Sequence, residues 1–316
     1  MTVPCALCRT IALASLLVTV PVEAQHLPSI PSLRTGQTLI YRLDLSGSRS
    51  TKVESQLATP EAPPKEDLNA RCLIQVEVAE AGAKGFRLKT YLSERRSAQP
   101  SGDASDTQSS SPDKLVEVFV ALDGTASEIK GFADLSLTRQ YAWNAWLNRF
   151  TSPMTFPKSG MRPGQRWRIS EEEASASPIS ELFWERKYEY VKQQRCGLRE
   201  TTTSASNVGS KRQSGDICAV VFVHAQLRQK SSPKNATPRD YRLRGLTTSG
   251  TASGTNETIL YVSTTTGLLV QATEDVQQTM DATVALADGS NRVRYTINAK
   301  SRSQVDLLSD AAQDVR

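Results

Sequence analysis

Histidine is almost absent from this chain, with two residues in 316, His26 and His224. That scarcity leaves no common His-rich zinc site and only one histidine inside a structured stretch to serve a Ser/His/Asp relay. His224 lies in an apolar strand beside Cys218, Val220 and Phe222, a poor place for a mobile general base, and reads as a half-buried structural side chain. Gly-x-Ser-x-Gly elbows, His-Glu-x-x-His runs and Walker loops are missing too, so the sequence reads as non-enzymatic, with no metal and no cofactor called for. Aromatic residues make up only 6 % of the chain and form no girdle, which argues against a transmembrane barrel. Beyond residue 24 no apolar run is long enough for a membrane-spanning helix. The formal charge of +5 is spread over the strands and interleaves no basic-aromatic motif, which excludes nucleic acid as a natural partner. It suits weak attraction to an envelope protein or an anionic polymer.

The first 24 residues read as a secretory signal peptide. Arg9 supplies a positive n-region, Ile11 to Val22 a short apolar stretch, and Val22-Glu23-Ala24 a small-x-small cleavage site before Gln25. The expected location is periplasmic or secreted. Three cysteines follow that segment. Cys196 closes one expected strand and Cys218 opens the next, so an oxidising compartment makes them a candidate disulfide. Cys72 alternates in phase with Ile74, Val76 and Val78 and should point into the core.

What the chain does have is alternation. From Leu268 to Leu308 apolar residues recur at every second position, through Val276, Met280, Ala282 and Val284 to Val293, Tyr295 and Ile297. Asp288-Gly289 suits a two-residue type I′ turn. That hairpin would set Leu286 opposite Asn291, Met280 opposite Ile297, and Asp275 opposite Arg302 on the other face, and a one-residue slip would spoil every row. Glu274, Gln278, Asn291, Ser301 and Ser303 interrupt the apolar face and predict a bend or a rim. The same alternation marks Leu39 to Leu45, Cys72 to Val78, Phe86 to Leu92, Val116 to Leu122, Trp184 to Tyr190 and Ile217 to Leu227. Pro60 to Pro64 and Ser97 to Lys114 read as polar links, and Ser231 to Asp240 as a loop. Gly245, Gly250 and Gly254 predict bulges or strong curvature.

One segment follows the helical period. Between Ser136, a natural N-cap, and Arg149, the residues Trp143, Trp146, Leu147 and Phe150 form one stripe, with Pro153 expected to stop the helix. The expected fold is therefore mainly β, with long curved antiparallel sheets in two sequential halves, 25–131 and 163–316, and one amphipathic helix between them within 132–162.

Candidate site residues follow from this layout. Trp143, Trp146 and Phe150 on the helix, with Trp184 and Tyr188 on a strand, could line an apolar concavity for a lipid-like ligand. Glu274 is the best candidate for a perturbed carboxylate, as a rim position or paired with Arg186, which shares the face of Trp184 and Tyr188. The run Glu171-Glu172-Glu173 reads as a solvated turn. The readings left open are a binder of an apolar or amphipathic ligand, a structural or interaction protein of the cell envelope, and a carboxylate-dependent hydrolase.

Some segments also look familiar together. Val116 to Gly131, the helix after it, Phe156-Pro157 with Pro163-Gly164-Gln165-Arg166-Trp167, and Glu257 to Gly267 resemble exported bacterial proteins of unknown function, acidobacterial ones especially. The resemblance runs from about Gly36 to near the end, and it implies compartment and fold more than activity. By architecture, a long curved sheet with one helix is also similar to the half-barrel of periplasmic lipoprotein carriers.

Overall fold

A computed structural model describes residues 30–55, 66–94, 114–173, 177–196 and 216–312. The expected signal peptide, the Pro60 to Pro64 link and nearly all of the Ser97 to Lys114 segment lie outside the described residues. The fold is mainly β. Eleven strands form one antiparallel sheet: β1 (Gln37–Ser55), β2 (Glu66–Gly82), β3 (Gly85–Glu94), β4 (Lys114–Ala121), β5 (Ala126–Lys130), β6 (Arg166–Glu172), β7 (Leu182–Arg195), β8 (Ile217–Gln229), β9 (Leu246–Ser263), β10 (Leu269–Leu286) and β11 (Val293–Ala312). Their spatial order is β5-β4-β3-β2-β1-β11-β10-β9-β8-β7-β6.

The chain thus starts in the middle of the sheet and meanders outward through β5. A helix, α1 (Leu137–Thr151), then carries it to the far edge, and it meanders back until β11 lies beside β1. Neighbours in sequence are neighbours in space, as short antiparallel connections favour. The exception is the pairing of β1 with β11 along its whole length, for example Leu43 with Val305 and Val53 with Tyr295. That seam joins the two expected halves into one sheet. The edges β5 and β6 do not pair with each other, so the sheet stays open.

Alternation divides the sheet into two unlike faces. Leu39, Tyr41, Leu43, Ile74, Val76, Leu88, Val118, Val221 and Leu260 are wholly buried on one side. The other side carries ion pairs between strands, including Arg42–Asp306 at 2.7 Å, Arg71–Asp44 at 2.6 Å, Arg302–Asp275 at 2.7 Å and Arg294–Asp281 at 2.5 Å. Residues of β2, β3 and β4 share one apolar cluster with residues of β7, β8 and β9 across the helix, so the sheet curls with its apolar face inward.

Helix α1 fills the curl. Ser136 caps it by accepting from the Arg139 backbone N–H at 3.4 Å. Trp143 and Trp146 are 0 % exposed and Phe150 is 1 %. Trp146 stacks on Phe150 with ring centres 5.1 Å apart, and both meet Tyr41 of β1 at 6.0 Å. Trp143 Nε1 donates to Thr90 Oγ1 of β3 at 2.8 Å, so the indole buries its area without stranding its donor. Pro153 does not end the helix abruptly; the chain tightens into a 3₁₀ turn over Ser152–Thr155.

Four local expectations need correction. The β10–β11 turn is a three-residue loop, Ala287-Asp288-Gly289, with Gly289 N–H bonded to Leu286 C=O and Leu286 N–H to Ser290 C=O. Gly289 and Asn291 take positive φ, whereas Asp288 does not and instead accepts from the Ser290 N–H at 2.8 Å. The extra residue at Asn291 restores the expected rows, so Val284 still faces Val293 and Met280 still faces Ile297. Glu171 and Glu172 finish β6, because an extended segment there can pair with β7. The region read as a loop around Asp240 contains a short second helix, α2 (Arg239–Leu243). Glu274 is no rim position, as set out below.

Candidate functional site

The inward face is not uniform. Under α1 it is apolar. Next comes a row that crosses three strands, Ser303 of β11, Glu274 of β10 and Thr258 of β9, which face one another directly. Asn256 sits two residues along β9 in the same phase. These four side chains are buried, Glu274 at 7 % exposure. Alternation brought polar residues onto the face that folding removes from water, so each must find partners.

They do so around one ion pair. Arg149, near the C-terminal end of α1, meets Glu274 Oε1 directly. Asn256 Nδ2 donates to the same oxygen at 2.5 Å, Ser303 Oγ donates to Oε2 at 3.3 Å, and Thr258 Oγ1 donates to Asn256 Oδ1 at 2.8 Å. Burial, then the nearby Arg186 charge, pushes the Arg149 guanidinium down to about 9, while Tyr188 and Glu171 act the other way. Arg149 therefore keeps its charge at neutral pH, where Glu274 balances it. With both oxygens engaged, Glu274 is placed to hold the helix on the sheet, not to take a proton from a substrate.

Arg186 does not reach Glu274. It bonds Glu171 of β6 at 2.9 Å and lies over the Trp184 ring at 5.8 Å. Burial raises the Tyr188 phenol above its ordinary value, and its ring stacks on Trp167 at 4.9 Å. Trp184 belongs to a second, smaller core cluster with Ile179, Leu182, Leu227 and Ala282, and its Nε1 donates to Glu173 at 2.5 Å. The six candidate residues therefore do not form one site. Trp143, Trp146 and Phe150 lie together in the core, Tyr188 stands beside them with Phe156 and Trp167, Trp184 sits apart, and Glu274 lies at the end of the helix. Sequence reasoning missed Arg149, although it falls three residues after Trp146 and therefore beside the apolar stripe. It did not single out Asn256 and Thr258, although both are in phase with buried Leu260.

Past this polar belt the inward face turns apolar again. Val276, Met280 and Val284 of β10 run beside Ile297, Tyr295 and Val293 of β11, with Val53 of β1 alongside, and all are half-buried. Helix α1, at 15 residues, is about 22 Å long. Strands β9 to β11, at 18 to 20 residues, are about 60 Å long. One helix cannot cover that length; beyond it Val276 and Met280 pack against the second core cluster of Ile179, Leu182, Trp184 and Ala236, Ala282 is wholly buried there, and the Ser177 side chain lies 3.7 Å from Met280 Sδ. Arg49 of β1 is exposed and shares the inward phase, opposite Ala299 of β11 and Glu66 of β2, and among the described residues it makes no ion pair.

Cys196 and Cys218 are joined as a disulfide, at the end of the sheet away from this strip. Cys72 is buried at 1 % exposure. Among the described residues no three His, Cys, Asp or Glu side chains gather as a metal cluster, and no helix is long and apolar enough to cross a membrane.

No family model and no curated protein matches the chain. Among solved structures, one of lipovitellin, described by its lipid–protein interactions, aligns with 90 % of this chain at 11 % identity and a TM-score of 0.42. This chain spans 26 % of that one. The outer membrane protein OprG from Pseudomonas aeruginosa aligns with 87 % of this chain and 97 % of its own at 7 % identity and a TM-score of 0.21. At these scores both are distant likenesses in β architecture and carry no argument about function.

Proposed function

We propose that this protein is a non-catalytic binder of an amphipathic, lipid-like molecule. The observation that carries the reading is the apolar strip of the inward face that continues beyond α1. From Met280 to Val284, past the polar row at Gln278, it extends about 14 Å, long enough for part of an extended acyl chain. Each methylene removed from water there contributes about 0.8 kcal/mol. Arg49 would meet an anionic or polar head. The disulfide supports an exported, envelope location, since such bonds persist in oxidising compartments.

A second reading, an envelope interaction protein without a small ligand, draws on the complete burial of Trp143, Trp146 and Phe150, which makes α1 an ordinary core element. Titration with a dansylated fatty acid in vesicle-free buffer separates the two. The lipid-binding reading expects saturable fluorescence, weakened at least about tenfold by Met280→Asp or Ile297→Asp and less by Arg49→Gln. Absence of saturable binding by the folded wild-type protein would favour the second reading, and equal binding by the strip variants would remove the strip as the ligand site.

A further inference from the structure

The β8–β9 connection and the β10–β11 turn lie at the same end of the sheet, tied by the Ala287 N–H to Gly245 C=O bond at 3.0 Å and by the pairing of Leu286 with Leu246. It is also the end at which the apolar strip finishes, since Ser55 of β1 faces Val293 there. Leu243, on α2, is 76 % exposed, and Leu286 is 37 % exposed. Both present apolar surface to water at this end of the sheet.

The charges around Leu243 are unlike those of the rest of the surface. Lys230, Lys234, Arg239, Arg242 and Arg244 fall within 15 residues that contain one acid, Asp240. All five are exposed, and among the described residues none is ion-paired, although Glu181 lines the same hollow as Lys230, Arg239 and Arg242. Lys230 lies instead over the Phe183 ring at 4.6 Å. Along the strands, by contrast, Arg42, Arg71, Arg87, Arg166, Arg294 and Arg302 are each neutralised by a neighbouring carboxylate. Arginines without an ion-pair partner on the same short helix as a protruding leucine match the two layers of a bilayer surface, where phosphates take the guanidinium groups and the acyl boundary takes the leucine.

We infer that this end of the sheet, with Leu243 on α2 among Arg239, Arg242 and Arg244 and with Leu286 on the adjoining turn, docks on a membrane bearing anionic lipid. The inference deepens the lipid-binding reading, because it presents the open end of the strip to the surface from which a lipid would come. It stands or falls separately, since docking is measured on vesicles and the strip is titrated without them.

The test is co-sedimentation of the full chain with vesicles of phosphatidylcholine alone and of phosphatidylcholine with phosphatidylglycerol, at low and high salt. Wild type is expected to sediment with the anionic vesicles at low salt and to be released by high salt. The triple variant Arg239→Gln, Arg242→Gln, Arg244→Gln should weaken this about a hundredfold, at roughly fivefold for each basic residue near the surface. Leu243→Asp should weaken it at least about tenfold. Arg34→Gln, Lys84→Gln, Lys158→Gln, which removes the same charge from the opposite end, should leave it within about threefold. Equal loss in that control would show attraction by net charge only, and wild-type binding by Leu243→Asp would show a purely ionic site for an acidic polymer; either overturns the proposal, as does failure of wild type to bind. Fatty-acid titration of the tip variants, expected unchanged, confirms their fold and keeps the two readings apart.

Discussion

Arg149 and Glu274 are the residues on which the seat of the helix turns. Two charges that are each less than one-tenth exposed have lost their water, and they persist because each neutralises the other. Removing one strands its partner, so Glu274→Gln or Arg149→Met should cost about 3–5 kcal/mol, whereas the apolar double replacement Arg149→Met, Glu274→Met should cost markedly less. Urea unfolding of the three variants checks this; equal losses for the single and double variants would mean that the pair contributes nothing as a pair. Trp146 Nε1, Arg149 Nε and Trp167 Nε1 are buried without acceptors, and each such donor costs about 1–3 kcal/mol. The helix is thus held by one strong contact and several imperfect ones. In the sequence Glu274 was legible as an intruder on an apolar face. Its partner was not, because strand phase says which residues point inward but not which residue of a helix comes to rest over them.

Strands and turns were read more easily than their joints. Cross-strand rows such as Met280 with Ile297 and Asp275 with Arg302 follow from alternation on both sides of one turn. The turn itself differed, since Leu286 closes on Ser290 and a positive-φ Asn291 makes up the register. Both solutions yield the same strand rows, so the pattern beyond the loop cannot choose between them. Gly250 reads in the sequence as a bulge or point of curvature; the structure shows an unbroken pairing with Ala282 there and a close approach of the two backbones instead. Its φ is +143, and a Cβ there would collide with the Asp281 carbonyl oxygen on β10. Gly250→Ala should therefore destabilise by about 1–3 kcal/mol, while Gly82→Ala, which meets open space, should stay within about 0.5 kcal/mol. Thermal melts of the two variants side by side test the contrast.

Taken whole, the molecule is a curled sheet, charged outside and apolar inside. Its outer carboxylates set its acid stability. Hydrogen bonds from Arg294 hold Asp281 below the ordinary 3.8, and those from Thr125 do the same for Asp123. A carboxylate depressed on folding contributes stability that is present above its unfolded value and is lost as pH falls through its folded one. The melting temperature should be nearly flat from pH 7 to about pH 5 and fall below about pH 4, with a shallower fall in Asp281→Asn. A main loss centred above pH 5 would assign acid sensitivity to other groups.

By itself the sequence determined the β character of the chain, the inward phase of its strands, the place of its one long helix and the rows of its terminal hairpin. Each of these is set by residues close together in the chain, where periodicity and a short turn leave few alternatives. Only the tertiary structure decided that β1 pairs with β11, that Arg149 and not Arg186 reaches Glu274, and that the apolar face outruns its helix. Those outcomes depend on which distant surfaces meet, such as Leu43 with Val305, and many apolar strands would satisfy the same pattern until packing selects one.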